Sequence, residues 1–224
     1  MSSRYVRPWI AAREFHGAGG ETIHYGDRWG MGGPPADAYS VVSHPERFAS
    51  THRIAEALVT HLTRTFAVEV SEDLAFVQDL RHPPPAATRA IRVTPTSAAS
   101  ASLTVVFTSL PAVHVHAGLL HDTRYPACGC DACDESWVSV ASQLENNVLA
   151  VAAGQFRECV ELRFDPWPRK WLTYSLGDEW GGASTQGIPK VRVRDARRQL
   201  RAMPDGWARW PARSASISPL GGSS

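Results

Sequence analysis

Apolar positions along this chain recur with two different periods, and the switches between them outline the elements. Phe48, Ala55, Leu58, Val59, Leu62 and Phe66 share one face at helical spacing, with His52 on that face and His61 opposite. Ser43, Pro45 and Glu46 precede them in the order of an N-cap, a first-turn proline and a capping-box partner, so the helix is predicted to begin near Ser43. Pro83, Pro84 and Pro85 close that region and open a linker. Period two then takes over in strands at 89–94, 102–110 and 112–120. The last two are separated by little more than Pro111, so they read as an antiparallel pair. Alternation puts His114 and His116 on the face opposite Val113, Val115 and Ala117.

A second helix follows, with Asp131 or Asp134 as its cap and Trp137, Val140, Ala141, Leu144, Val148 and Val151 as its stripe. Further strands are expected at 156–164 and 171–176, with a loop at 181–187. A short helix over 194–203 sets Ala196, Leu200 and Met203 against Arg194, Arg197, Arg198 and Arg201. Together these elements predict a single α+β domain: a mostly antiparallel sheet, two main helices on one face, and a short basic C-terminal helix. Its expected bounds are 38–213, after a flexible Gly-rich arm at 1–37 and before a disordered tail at 214–224.

The composition narrows the function classes. With 224 residues, 43% hydrophobic and 20% charged, the chain is ordinary for a globular domain. A formal charge of +1 gives no global attraction to nucleic acid or an anionic membrane. The N-terminus carries Arg4, Arg7 and Arg13 without an apolar secretory segment, and no apolar run approaches a membrane span, so a cytoplasmic protein without a membrane partner is expected. The Gly-rich stretch lacks the Gly-Lys pair of a phosphate loop, and no Gly-x-Ser-x-Gly or His-Glu-x-x-His motif occurs.

Chemistry concentrates in one place. Three of the four cysteines, Cys128, Cys130 and Cys133, fall within six residues, and Gly129 permits a sharp turn between the first two. Such a triplet can supply three of the four ligands of a structural zinc site. His121 is the nearest fourth ligand in sequence; His114, His116, Asp134 and Cys159 are substitutes. A plain turn and a redox pair joining Cys128 to Cys133 are the alternatives. Asp131, Asp134 and Glu135 crowd the loop with negative charge, which favours a bound dication over an exposed low-pKa nucleophile.

Two other constellations are open. His114, His116 and His121 with the cysteine loop could form the centre of a metal-dependent enzyme, with Asp122 and Glu135 available as acid and base. Arg194, Arg197, Arg198 and Arg201, beside Trp207 and Trp210, are the local candidate for a nucleic-acid or phosphoanion surface. The leading expectation is a binding or regulatory module that holds zinc structurally through Cys128, Cys130, Cys133 and His121.

Three segments carry a family resemblance. Asp37-Ala-Tyr-Ser-Val-Val-Ser-His-Pro-Glu-Arg-Phe48, Tyr125-Pro-Ala-Cys-Gly-Cys-Asp-Ala-Cys-Asp-Glu135 and the Trp-Pro-rich stretch from Met203 to Pro211 resemble signature segments of an uncharacterised actinobacterial family, a domain of unknown function. The resemblance spans about Trp29 to Arg213. It implies a soluble cytoplasmic protein and lends no activity, cofactor or catalytic residue.

Overall fold

The computed structural model of the protein describes residues 4–164 and 167–214. Three antiparallel sheets form. A small hairpin pairs β1 (Phe15–His16) with β2 (Thr22–Ile23). A five-stranded sheet runs in chain order through β3 (Val68–Glu72), β4 (Ala87–Pro95), β5 (Leu103–Thr108), β6 (Val113–Ala117) and β7 (His121–Tyr125). A three-stranded sheet joins β8 (Phe156–Phe164), β9 (Pro168–Leu176) and β10 (Glu179–Ser184). Helices α1 (Ser50–Thr65) and α2 (Trp137–Ala152) pack on each other, and α3 (Lys190–Arg201) packs against β8. The α+β class and the mostly antiparallel pairing agree with the sequence pattern.

The strand alternation explains the layers. Ile91, Val93, Leu103, Val105, Phe107, Val113 and Val115 point to the helix side. There they join Ile54, Leu58 and Leu62 of α1 and Val140, Leu144 and Val148 of α2 in one buried cluster. Phe156, Val160, Leu172 and Leu176 extend the same core into the three-stranded sheet. Ala90 and Val106 point to the other side and meet Val77 and Leu80 beneath a 3-10 turn over Leu74–Asp79. Strand β5 is therefore buried on both faces, and Thr104 survives there by donating its hydroxyl to Asp79, 2.6 Å away.

Several expectations change at the element ends. The strand predicted over 112–120 stops at Ala117, Gly118 turns the chain at φ +66°, and β7 runs back along β6. A side chain at Gly118 would place its Cβ 2.2 Å from Glu158 Oε1, so this turn requires glycine on both counts. Strands β3 and β10 form where no strand was anticipated, and β10 takes up most of the expected 181–187 loop. Ser43 does not cap α1; residues Pro45–Phe48 make a 3-10 turn before it. Ser136, not Asp131 or Asp134, caps α2 through a hydrogen bond from the Ser139 amide.

The segment read as a flexible arm is anchored. Tyr5 donates to Glu145 at 3.0 Å, and Arg7 engages the same carboxylate with contacts down to 2.6 Å. Residues 1–3 of that segment and 215–224 of the expected tail lie outside the described residues. No described helix is long and apolar enough to cross a membrane. Trp207 and Trp210, expected beside a nucleic-acid surface, are 5% and 2% exposed and belong to the core. Trp210 donates to Ala101 O, and Trp207 to Glu158.

Glu158 joins the two larger sheets. Its carboxylate accepts N–H groups from Leu119 at 2.7 Å, Leu120 at 3.0 Å and the Trp207 indole at 3.2 Å. Burial pushes its pKa from 4.5 up to about 7, against the opposing effect of these donors and of His116. Raised in the folded state, the group contributes stability that is complete below about pH 4.5 and lost as pH rises through about 7. Relative to Glu158→Gln, the wild type is therefore expected to lose roughly 3 kcal/mol of unfolding free energy across that window. Urea denaturation at several pH values checks this; a difference between the two proteins that stays constant with pH contradicts it.

Candidate metal centre

Strand β7 ends at Tyr125 and the chain passes through a cis Tyr125–Pro126 bond into the cysteine loop. Gly129 adopts φ +85°, the left-handed conformation open to glycine, so Cys128 and Cys130 can turn back toward each other. Their sulfurs are 3.2 Å apart, and the Sγ atoms of Cys128, Cys130 and Cys133 all lie within 4.8 Å of one another. A tetrahedral ion with Zn–S bonds of about 2.3 Å would hold its sulfurs about 3.8 Å apart, so modest side-chain rotation accommodates one. Cys130 is buried, while Cys128 and Cys133 are exposed. All four cysteines are free thiols.

The loop is fixed by its acids rather than repelled by them. Glu135 accepts the amides of Ala127, Cys128 and Gly129 at 3.0–3.1 Å. Asp131 accepts the Ser43 hydroxyl at 2.5 Å and the Ser43 amide at 3.2 Å. The Arg47 guanidinium, 1% exposed, lies 3.4 Å from the same carboxylate and donates to Gly129 O at 2.7 Å. Arg28 adds a second cation 3.8 Å from Asp131, and Trp29 donates its indole N–H to Asp131 O. Asp134, at φ +51°, accepts the Arg28 amide at 2.7 Å. The negative charge expected to crowd the thiols is therefore largely consumed in anchoring the loop.

These contacts set the ionisation. Burial opposes the charge on Asp131, but the Ser43 hydrogen bonds and the two guanidinium groups outweigh it and hold the carboxyl below its ordinary range. A hydrogen bond from Cys128 and N–H groups of Cys133 and Ser40 lower the Cys130 thiol to about 7. Cys133 is pushed up to about 12 by its sulfur neighbours and by burial. One thiolate forms readily, and each further one meets the charge already present. A cation between the sulfurs removes that penalty.

The structure brings together three of the four expected ligands and sets the fourth apart. His121 begins β7, whereas the cysteines follow its end. A five-residue strand spans roughly 13 Å at about 3.3 Å per residue. With a strand expected over 112–120 and no return strand after it, His121 sits in sequence at the entrance to the loop; β7 carries it away instead. Its ring instead lies 4.1 Å from that of Tyr174, and its Nε2 is 2.9 Å from Thr123 Oγ1. Burial lowers its pKa to about 4, so the ring is neutral.

The substitutes also lie elsewhere. His114 and His116 face the other side of the sheet, where His116 Nδ1 is 2.6 Å from Asp122. Burial opposes charge on Asp122, yet His116 and Arg81 hold its pKa down. Cys159 is exposed on β8. Among the described residues, the clustered ligand atoms are the three sulfurs alone. The expected acid–base pair is also separated in role, with Asp122 on His116 and Glu135 on the loop amides.

Nothing in the sequence pattern marks Arg47, Arg28 or Trp29, and Ser43 reads there only as a helix cap, since their partner on the loop lies at least 84 residues away. Two of the quoted signature segments, Asp37–Phe48 and Tyr125–Glu135, meet here: Ala132 N donates to Ala38 O and Asp131 N to Val41 O. The profile of a family described as "Family of unknown function (DUF6226)" matches residues 11–214, and the chain belongs to that family. No curated protein and no solved structure matches the chain.

Removing Arg47 leaves Asp131 buried without its main cation and frees two loop carbonyls. Arg47→Met is expected to destabilise the protein by about 3–5 kcal/mol, with Asp131→Asn recovering part of that loss in the double variant. Chemical denaturation of the four-member cycle measures the coupling; strictly additive effects contradict the clamp.

Proposed function

We propose that this DUF6226 member is a metal-binding module in which Cys128, Cys130 and Cys133 hold one zinc ion, with the fourth position filled from solvent or by a bound partner. The observation that carries this reading is the convergence of three sulfurs within 4.8 Å on a loop whose backbone is tied down by other groups. Thiolates are soft ligands that suit zinc, and their closeness is unfavourable without a cation once they ionise. Nearest to the centre are the end of β7, the segment from Ala38 to Arg47 and the start of α2. An ion there pins these three together, which makes its role structural or regulatory. A reducing compartment such as the cytoplasm belongs to the same proposal, because it keeps the thiols available.

The histidine-based enzyme reading finds less support, since His114, His116 and His121 are not among the gathered ligands. Protein purified under reducing conditions is expected to contain one zinc per chain by elemental analysis. Cys130→Ser loses the metal and melts at lower temperature, whereas His121→Ala and Cys159→Ser keep the full metal content. Metal-free wild type with three freely titrating thiols, after incubation with zinc, contradicts the proposal.

A further inference from the structure

The expected arginine stripe stays largely exposed on α3, but a second group of open cations lies beside it. Arg192 donates to the carbonyls of Gln78, Asp79 and Leu119, so it ties α3 to the sheet. Arg194 and Arg198 share Asp195. A different site lies at the other side of the first turn of α3. There the start of β9, the loop after β10 and the helix enclose a cleft of about 640 Å³. Arg169, Lys170 and Lys190 line it, and no carboxylate among the described residues does. Among the described residues none of the three forms an ion pair. The loop that completes the cleft is internally tied, with Thr185 donating to Lys170 O and the Gln186 amide to Ser184 Oγ.

Two further observations point to what fits there. Arg163 and Arg169 stand directly opposite each other in the β8–β9 ladder. Like charges in that position repel, and among the described residues Glu161 offsets only one of them, at 3.6 Å from Arg163. An anion would relieve the repulsion. At the same hairpin end Phe164 and Trp167 are each 72% exposed, one beside Arg163 and the other two residues before Arg169. Exposed aromatic rings at the same hairpin end as Arg169, which forms no ion pair among the described residues, match a ligand with both a phosphate and a flat ring. The cleft is also of the size that holds small cofactors.

We propose that the cleft lined by Arg169, Lys170 and Lys190, with Phe164 and Trp167 beside it, binds a phosphate carried on a nucleobase, as a free nucleotide or within a single strand. Phosphate oxygens meet the three cations, and the base stacks on the exposed rings. The site is independent of the cysteine loop, so loss of metal leaves it working.

Calorimetry and tryptophan fluorescence with pyrophosphate, ADP and a short oligothymidylate test this. Wild type is expected to bind ADP or the oligonucleotide, with affinity falling roughly tenfold between about 50 and 200 mM salt. The Arg169→Glu/Lys190→Glu variant weakens binding at least about tenfold while keeping wild-type thermal stability, since both residues are exposed and one like-charge pair is removed. Trp167→Ala weakens ADP and the oligonucleotide but leaves pyrophosphate unchanged. Cys130→Ser binds as wild type does, which separates this site from the metal centre. Binding of the oligonucleotide alone assigns a strand as the source, and binding of ADP and pyrophosphate assigns a free nucleotide. No binding of any probe at low salt, or equal binding by the charge-reversed variant, overturns the proposal.

Discussion

The contact between Arg47 and Asp131 joins two parts of the chain that the backbone alone would leave unrelated. Two ions taken out of water are costly, and a pair at 3.4 Å with 1% and 5% side-chain exposure repays that cost only if every remaining donor and acceptor is used. Here they nearly are: Ser43 completes one carboxylate, Gly129 and Cys130 carbonyls take the guanidinium, and Tyr25 and Phe48 lie against its faces at 4.2 and 4.4 Å. The pair therefore acts less as a source of stability than as a registration device. It fixes where the segment before α1 meets the loop after β7, and with it the positions of the sulfurs.

From that constraint the rest of the centre follows in sequence. Glu135 gathers three successive amides, which bends the loop around its own carboxylate. The sulfurs of Cys128 and Cys130 then lie 3.2 Å apart, with that of Cys133 within 4.8 Å of both. The trio is organised by protein hydrogen bonds before any ion is considered, so the cost of ordering three side chains has been met in folding rather than in binding. A preorganised set of soft ligands with two exposed members is suited to take up an ion and to exchange it.

How far the sequence is legible depends on how local each cause is. Helices α1 and α2 and strands β4, β5 and β6 declare themselves because their buried faces repeat every few residues. Strand β7 does not: His121, Asp122, Thr123 and Arg124 are all polar, and no apolar alternation marks the strand; Asp122 is satisfied by His116 on the neighbouring strand, and His121 and Thr123 by each other. Strand β10 contains two adjacent glycines, Gly181 and Gly182, which read as loop until Tyr174 and Trp171 are seen packed against them. Strand β7, unmarked in the sequence, carries His121 to neighbours at Thr123 and Tyr174 and sets it apart from the three clustered sulfurs. The cysteines were visible because three ligands lie within six residues. The residues that hold them, Ser43 and Arg47, were hidden inside what reads as a helix start, because a capping serine and a buried clamp look the same until the partner is known.

The same limit applies to charge. Asp131, Asp134 and Glu135 look like a block of repulsion in one dimension, while in three they are each committed to a cation or to amides. X-ray absorption at the zinc edge of the zinc-loaded protein tests the account most directly. Three sulfur neighbours at about 2.3 Å with one lighter atom completing the shell is the expected result. A first shell made only of nitrogen and oxygen would contradict it.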